Sequence, residues 1–374
     1  MTNSYPARRT KTVVSRSAPR DPVTWKVPEI MATIGPTLEK QEDLRQAIEA
    51  GVRWVRLPCG YRQRPHVENA RAARAAATQA GLPIHLLLDL PSSRPRTGTM
   101  QDLNLAVGDT VLFWDPEDTT ETPTNNGARA VPLPGLRELA DKLAPSQRIL
   151  FCDGRLTFVV DKLHDRYVAA HLTEGTIPLK SSNSLFLPDS SSGFTAITPL
   201  DRALLKEFAA ATLMPDWVAL SLIASPQDVC ESRSEARKLL GAEVRVMAKF
   251  ETVAAVECAE AIIDVSDGVM VARGDLGQAV GYARLPEVQE QLVAAARRAG
   301  KPVVVATQIL ETFAATGLPQ RAELSDLSLI ARQRADVIML GKETVFSPRP
   351  LDCIRLACEV LTHETRRFEQ AYGT

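Results

Sequence analysis

Short apolar runs alternate with amphipathic stretches along much of the chain, and this alternation is the main signal for its fold. In the second half of the chain, three β-rich runs at residues 243–251, 266–277 and 301–308 each end in polar residues. Helical patterns at residues 252–265 and 285–300 separate them. Buried β-rich runs that are each followed by a helix predict parallel strands joined by crossover helices.

The alternation extends from residue 29 to the end of the chain and gives eight strand–helix units. Eight units of this kind predict a (β/α)8 TIM barrel, whose strands point their carboxyl ends toward one mouth. Besides the three runs above, the predicted strands are residues 29–34, 53–57, 83–90, 217–223 and 336–340.

A change of pattern interrupts the repeats after the third strand. Between residues 99 and 198 the helical periodicity nearly vanishes, and short β-like pieces are separated by turn residues such as 125–127. This pattern predicts a small β-rich lid domain inserted into the barrel. The barrel would then comprise residues 29–98 and 199–374, preceded by a disordered basic tail at residues 1–28.

Composition excludes several classes of partner. The 374 residues carry a formal net charge of −1, which offers no electrostatic basis for binding nucleic acid or an anionic membrane. No apolar run reaches the roughly 20 residues that a membrane-spanning helix needs. The six cysteines are scattered without a CxxC pair, which favours reduced thiols and a cytoplasmic protein that binds a small molecule.

Charged residues at the strand ends supply the candidate chemistry. Glu251 and Asp275 follow neighbouring strands, and two carboxylates together with substrate oxygens suit Mg²⁺ or Mn²⁺. Lys249 lies two residues before Glu251 and therefore on the same side of an extended chain. A lysine beside a metal stabilises a developing enolate or a phosphoryl group. The alternatives are that both acids are solvated loop residues and that Lys249 simply pairs with Glu251.

The run SDGVMVARGDLG, at residues 266–277, carries a resemblance to a known family. Together with MAKFE before it and KPVVVATQILE after it, it resembles pyruvate kinase, most specifically over residues 249–344. The resemblance implies a barrel with a mobile lid, the metal ligands Glu251 and Asp275, and phosphoenolpyruvate or a 2-oxo acid as substrate. It also implies a homo-oligomer, either a dimer or a tetramer. Pyruvate kinases usually continue into a C-terminal allosteric domain, which we expect to be missing here.

The resemblance assigns roles to individual residues. Lys249, Thr307, Arg56 and Arg96 would be catalytic, and Gly274 and Asp275 would bind substrate with Arg56 and Thr307. Amides at the start of a short helix at Gly274 and Asp275 would hold the substrate carboxylate. Arginine suits a phosphoryl group because it is always charged and binds bidentately. Glu343 matches a family glutamate near the site.

The sequence departs from the family where a monovalent cation would bind. The family's asparagine, serine and threonine ligands are replaced by Pro58, Gly60 and Leu90, and only Asp89 is kept. These replacements offer no side-chain oxygen, so a K⁺ site of the usual kind is not expected. Arg94 replaces a glutamate and would supply positive charge beside Asp89, or it would be an ordinary surface arginine. An asparagine and a histidine of the nucleotide side are lost as well, so ADP or ATP binding stays open.

Three functions follow from this pattern. The leading hypothesis is a metal-dependent enzyme that stabilises the enolate of pyruvate or a related 2-oxo acid as an aldolase, lyase or decarboxylase, with transfer to ADP left open. The second is a K⁺-independent pyruvate kinase, and the third is a non-catalytic 2-oxo acid sensor. The first two share one core, a metal-held enolate of the pyruvate type.

Overall fold

The computed structural model describes most of the chain from Trp25 onward. Residues 1–24, which hold most of the predicted tail, and Arg94 lie outside the described residues. The described ranges are 25–61, 65–92, 95–119, 121–124, 127–140, 142–152, 154–175, 177–189 and 197–372.

The strands fall into two groups along the chain. Those at either end of the chain form the barrel, and those in the middle form a second sheet. The strands are β1 (Glu29–Thr33), β2 (Val52–Pro58), β3 (His85–Asp89), β4 (Thr110–Trp114), β5 (Arg129–Pro132), β6 (Arg148–Phe151), β7 (Leu156–Leu163), β8 (Tyr167–Gly175), β9 (Leu185–Phe186), β10 (Trp217–Leu220), β11 (Arg245–Phe250), β12 (Gly268–Ala272), β13 (Val303–Ala306) and β14 (Val337–Leu340).

The predicted barrel is confirmed. In the part of the chain that the structure describes, eight parallel strands close in the order β1-β14-β13-β12-β11-β10-β3-β2. All of them match predicted strands to within a few residues. The pairing sets Arg56 on β2 beside Thr33 on β1, and Lys249 on β11 beside Met270 on β12. Parallel pairing around a closed barrel therefore gathers the carboxyl ends of distant segments at one mouth.

Helices connect the barrel strands and cover their outer face. Two of them begin with a proline that directly follows a capping Ser or Thr. The capping boxes join Thr198 with Asp201 and Ser225 with Asp228. None of the described helices has the length and apolar character needed to cross a membrane. The helices are α1 (Gln41–Glu49), α2 (His66–Ala80), α3 (Leu136–Ala140), α4 (Pro199–Ala210), α5 (Pro226–Leu240), α6 (Val253–Glu257), α7 (Ala259–Val265), α8 (Arg273–Val280), α9 (Leu285–Arg298), α10 (Glu311–Thr316), α11 (Arg321–Gln333), α12 (Lys342–Val345) and α13 (Pro350–Tyr372).

Large side chains fill the inside of the barrel, so it is a packed core and not a channel. Trp54 and Trp217 meet near its lower end, with their ring centroids 5.5 Å apart. Met270 and Met339 lie higher, are almost fully buried, and line the floor of the cavity at the mouth. This filling leaves space for a ligand only at the carboxyl end of the strands.

A six-stranded sheet, in the order β5-β4-β8-β7-β6-β9, lies in the chain between β3 and α4. It has its own apolar core, in which Phe113, Phe151 and Phe158 pack with centroid distances between 5.4 and 5.9 Å. Leu222, which follows barrel strand β10, packs into that core. The sheet therefore contacts the barrel beside the mouth, and its role as a lid stays a prediction.

The start of the described chain packs against its last helix. Trp25 stacks on Phe368 of α13, with the ring centroids 5.4 Å apart. Pro28 is buried as well. Trp25 and Pro28, which were assigned to the disordered tail, are therefore packed against the barrel.

Candidate active site

A cavity of about 210 Å³ opens at the carboxyl ends of the barrel strands. It contains the predicted residues Arg56, Asp89, Lys249, Glu251, Gly274, Asp275 and Thr307. The other lining residues are Thr33, Pro58, Tyr61, Met270, Ala272, Ala306, Gln308, Glu311, Met339, Gly341, Lys342, Val345 and Phe346. The barrel thus brings residues from most of its strands to one place, as the strand-end pattern predicted.

Lys249 is the centre of a buried polar network. Its Nζ donates to Ser221 Oγ at 2.7 Å and to Asp89 Oδ1 at 3.0 Å, and it lies 3.0 Å from Glu251 Oε1. Only 8% of the residue is exposed. The ammonium is therefore held by groups at the ends of β10, β3 and β11, and not by Glu251 alone.

Asp89 connects this lysine to an arginine. Arg56 places Nε at 2.7 Å and Nη2 at 2.6 Å from Asp89 Oδ2, and its Nη1 lies 3.2 Å from Thr33 Oγ1. Burial by itself would raise the pKa of the Asp89 carboxyl, but the charges of Lys249 and Arg56 and their hydrogen bonds outweigh it. The pKa of Asp89 therefore lies below its ordinary value, and the carboxyl is ionised at neutral pH.

Glu251 is oriented by contacts on both of its oxygens. Oε1 faces Lys249, and Oε2 accepts the backbone N–H of Leu222 at 2.7 Å. Leu222 has a φ of 58°, in the left-handed region, which turns its N–H toward the carboxylate. Glu251 is a carboxylate that lines the cavity, and it is therefore a candidate ligand for a hard cation.

The donor set fits a hard divalent metal that takes few protein ligands. Glu251 and Asp275 line the same cavity, and among the described residues no group of three or more acidic, histidine or cysteine side chains is arranged around one metal position. Mg²⁺ binds in this way, through one or two carboxylates with substrate and water oxygens. The lining residues also include four carboxylates and three cationic side chains, so an added cation would offset the excess negative charge before an anionic substrate binds.

Thr307 lies beyond the end of its strand and not within it. Strand β13 ends at Ala306, and both Thr307 (φ 73°) and Gln308 (φ 55°) are left-handed. A β-branched residue seldom adopts this conformation, which costs of order 1–3 kcal/mol. The predicted run at residues 301–308 therefore extends two residues beyond the strand, and the turn directs the Thr307 side chain along the cavity wall.

Arg273 holds this strained turn. Its Nη2 donates to the carbonyl of Thr307 at 2.6 Å and to that of Gln308 at 3.0 Å, while its Nη1 lies 2.6 Å from Asp326 Oδ2 on α11. The Gly274 N–H donates to Thr307 Oγ1 at 3.1 Å. The Gly274 amide, which was predicted to hold the substrate carboxylate, is therefore engaged by the threonine in this structure.

Glu343 supports the same turn from below and is not a lining residue. It is fully buried, and its Oε1 accepts the N–H groups of Ile309 and Leu310 at 3.0 Å each. Oε2 accepts the Gly341 N–H at 2.8 Å. The residue was predicted to lie near the site, and the structure gives it a positioning role for the backbone after β13 and β14.

Arg96 does not take the predicted position inside the cavity. It pairs with Ser184 in an isolated bridge, and its Nη1 donates to the Ser182 carbonyl at 2.9 Å. Its guanidinium lies 5.9 Å from the ring centroid of Tyr61, which does line the cavity. In the described structure Arg96 therefore belongs to the rim and contacts the second sheet.

Four side chains of the mouth were missed by the sequence analysis. Tyr61 and Phe346 are 46% and 59% exposed, and the side chain of Lys342 lies 3.4 Å from Glu311. Lys342 and Glu311 follow strands β14 and β13 closely, so the strand-end rule that found Lys249 would also have found them. The two aromatic residues had no such signal, because an isolated ring near a strand end is usually part of the core.

Comparisons with known proteins match the chain to one family. The family model described as pyruvate kinase, barrel domain, matches residues 25–354. The pyruvate kinase of Methylorubrum extorquens is 32% identical over 331 residues, which cover 87% of this chain and 66% of that protein. Pyruvate kinase 2 of Synechocystis sp. is 32% identical over 91% of this chain and 56% of its own length. A pyruvate kinase of Agrobacterium vitis is 32% identical over 89% of this chain and 67% of its own length.

The chain thus spans between 56% and 67% of the length of these relatives. The family model covers all eight barrel strands and the second sheet. The residues that line the mouth lie within the matched range, which ends at residue 354. The chain belongs to the pyruvate kinase family.

Proposed function

We propose that the protein catalyses phosphoryl transfer between phosphoenolpyruvate and ADP, giving pyruvate and ATP. The observation that carries this proposal is the buried network in which Lys249 and Arg56 share Asp89 and face the same cavity as Glu251 and Asp275. Two fixed cations beside two metal-binding carboxylates suit a substrate with both a carboxylate and a phosphoryl group.

The reaction breaks the bond between phosphorus and the enol oxygen and forms a bond from phosphorus to a terminal phosphate oxygen of ADP. The enolate that remains takes a proton at its methylene carbon and becomes pyruvate. A divalent ion held by Glu251 and Asp275 would supply positive charge toward the substrate oxygens. Lys249 and Arg56 neutralise charge as it moves from the phosphoryl group to the enolate oxygen, and they need no rearrangement because Asp89 already holds them.

The other side of the mouth offers chemistry for an acceptor nucleotide. Lys342 carries a positive charge, and the exposed rings of Tyr61 and Phe346 provide flat apolar surfaces. A nucleotide needs both, because its phosphates pair with cations and its base stacks on aromatic faces. These residues support ADP as the acceptor although the family's asparagine and histidine are replaced.

The comparisons support pyruvate kinase activity better than the leading hypothesis of an aldolase, lyase or decarboxylase. The relatives named above are all pyruvate kinases, and the replaced residues lie on the cation and nucleotide side and not at Lys249, Glu251 or Asp275. We therefore propose the K⁺-independent pyruvate kinase, with Mg²⁺ or Mn²⁺ as the required metal and a homo-oligomer as the working form. Light scattering of the purified protein tests the oligomer.

A coupled assay tests the activity. The purified full chain is given phosphoenolpyruvate, ADP and Mg²⁺, and pyruvate formation is followed with lactate dehydrogenase. We expect pyruvate only when all three are present, and a rate about 100- to 1,000-fold lower from a Lys249→Met variant. A different result would favour the nucleotide-free enolate enzyme. In that case no pyruvate forms from phosphoenolpyruvate and ADP, but the methyl group of pyruvate exchanges deuterium when the metal is present and nucleotide is absent.

A further inference from the structure

A second cleft lies at the opposite end of the barrel from the active site. It has a volume of about 410 Å³ and lies where Pro302 leads into β13 and Asp336 leads into β14. We call it the basal cleft and define it by Lys26, Arg297, Gly300, Lys301, Pro302, Arg334, Ala335 and Asp336. Its volume is in the range of small-molecule sites, and none of its residues contributes to the active-site cavity.

Positive charge dominates the basal cleft. Lys26, Arg297, Lys301 and Arg334 line it against a single carboxylate, that of Asp336. This carboxylate is also engaged elsewhere, because its Oδ2 accepts the Val303 N–H at 2.9 Å. The cleft therefore has a net positive charge, in a protein whose formal net charge is −1.

Two of the cations are anchored by backbone contacts. Arg297 Nη1 donates to the Arg334 carbonyl at 2.9 Å, and Lys301 Nζ donates to the Ser266 carbonyl at 2.8 Å. Both contacts are to neutral acceptors, so they orient the side chains without neutralising their charge. An anion in the cleft would meet cations that are already placed.

Arg334 occupies a position that normally favours glycine. It ends α11 in the left-handed region, with a φ of 63° and a ψ of 43°. Glycine is the usual residue at such a helix end because it has no Cβ to clash. The guanidinium lies 5.5 Å from the ring centroid of Trp25, which positions it at the cleft. Strained backbone of this kind is concentrated at functional sites.

The electrostatics of Arg334 favour a bound anion. Burial, and then the nearby charge of Arg297, lower the pKa of its guanidinium. An arginine stays protonated despite such a shift, because its ordinary pKa is very high. Because Arg334 is partly buried and lies near a second cation, Arg297, a bound anion would stabilise its charged form.

We propose that the basal cleft binds the phosphate group of a small phosphorylated ligand. Arg297 and Arg334 supply planar guanidinium groups that match phosphate oxygens, and Lys301 and Lys26 add point charges around them. The site is independent of the proposed catalytic activity, because it lies at the amino ends of β13 and β14 while Thr307 and Lys342 lie at the carboxyl ends of the same strands.

Calorimetric titration with inorganic phosphate tests the site on the full chain. The Arg56→Ala background weakens phosphate binding at the active site, so that the heat lost on substitution in the basal cleft reports on that cleft. In this background we expect saturable binding that weakens at least about tenfold with Arg334→Gly, which suits the left-handed backbone and removes the charge. Arg297→Gln should weaken binding similarly and serves as the second variant if Arg334→Gly is poorly folded.

Arg332→Ala is the matched control, because this exposed arginine lies two residues away on α11 and its loss changes the net charge equally. It should leave phosphate affinity unchanged. No measurable binding in the Arg56→Ala background, or equal affinity in the Arg334→Gly and Arg332→Ala variants, would overturn the proposal. Pyrophosphate is the second probe. If the cleft accommodates two phosphate groups, pyrophosphate should bind more tightly than inorganic phosphate.

Discussion

At the scale of single residues, the site depends on how one ammonium group is shared. Lys249 contacts the hydroxyl of Ser221 and the carboxylates of Asp89 and Glu251, all of them at least nine-tenths buried. Buried ionic groups are costly unless each is paired and hydrogen-bonded. Removing one member therefore changes both the stability of the network and the charge that the substrate meets.

We expect Lys249→Met to lower kcat by about 100- to 1,000-fold, because a preorganised positive charge beside the reacting oxygen is lost. The variant also leaves Asp89 and Glu251 with less compensation, so its thermal unfolding temperature should fall. The measurement is kcat with saturating substrates, alongside a melting curve. Lys238→Met on the exposed face of α5 is the control for loss of a lysine. A kcat within experimental error of the unmutated protein would remove Lys249 from the chemistry.

The lowered pKa of Asp89 gives a pH dependence of stability. A carboxyl whose pKa is lower in the folded state stabilises the fold above its unfolded pKa, and this contribution is lost as the pH falls through the folded value. We expect Asp89→Asn to cost about 3 kcal/mol at neutral pH, because Lys249 and Arg56 lose their shared partner. The cost should shrink as the pH falls below the ordinary value of 3.8.

Urea unfolding of both proteins at several pH values between about 7 and about 3 provides the check for Asp89. Asp43→Asn in α1, at a partly exposed site on the helix surface, is the control. A difference in free energy of unfolding that stays constant over this range would contradict the assigned ionisation.

Much of this site could be predicted from the sequence, because polar residues that directly follow an apolar run lie at a strand end. Lys249, Glu251 and Asp275 were found in this way. The ion pair between Asp89 and Lys249 was not predicted, because these residues are 160 positions apart and only the closed barrel brings them together. The left-handed turn at Thr307 was also missed, because threonine is a common strand residue and its backbone conformation depends on Arg273.

At the scale of elements, the segment between β13 and α10 is held by side chains from other parts of the barrel. Arg273 binds its carbonyls, and Glu343 accepts the N–H groups of Ile309 and Leu310. The sequence predicted the barrel strands and the long helices well, but α10, α12 and β9 are short and have little periodicity. Short elements of this kind are defined by such tertiary contacts, which periodicity does not report.

We expect Glu343→Gln to lower kcat by about 10- to 100-fold and the free energy of unfolding by about 1 to 3 kcal/mol. A neutral amide accepts fewer hydrogen bonds than the carboxylate, so the turn that carries Thr307 would loosen. Glu323→Gln is a matched control, because Glu323 accepts backbone N–H groups of Thr312 and Gln320 without lining the cavity. It should lose stability and keep its kcat. Equal kinetic effects in the two variants would show that Glu343 contributes stability alone.

At the scale of the whole molecule, the second sheet and the barrel meet beside the active site. Leu222 donates its N–H to Glu251, while its side chain packs into the core of the second sheet. Ala279 of α8, the helix that carries Asp275, packs against the same core. Both proposed metal ligands therefore lie next to residues that pack against the second sheet.

The replaced cation ligands lead to a prediction for the purified protein, namely that the proposed activity does not require K⁺. Pro58, Gly60 and Leu90 have no side-chain oxygen, and the Asp89 carboxylate is already shared by Arg56 and Lys249. We expect the rate of pyruvate formation in Na⁺ or tetramethylammonium buffer to match that in K⁺ buffer to within about a factor of two, the scale of a general ionic-strength effect.

The comparison is made at constant ionic strength and saturating Mg²⁺. Removal of Mg²⁺ by a chelator is the positive control, and it should abolish the rate. A large and saturable increase of the rate in K⁺, relative to both other cations, would contradict this prediction. It would mean that backbone carbonyls and Asp89 still form a site for a monovalent cation, and that Arg56 and Lys249 do not satisfy the charge of the Asp89 carboxylate.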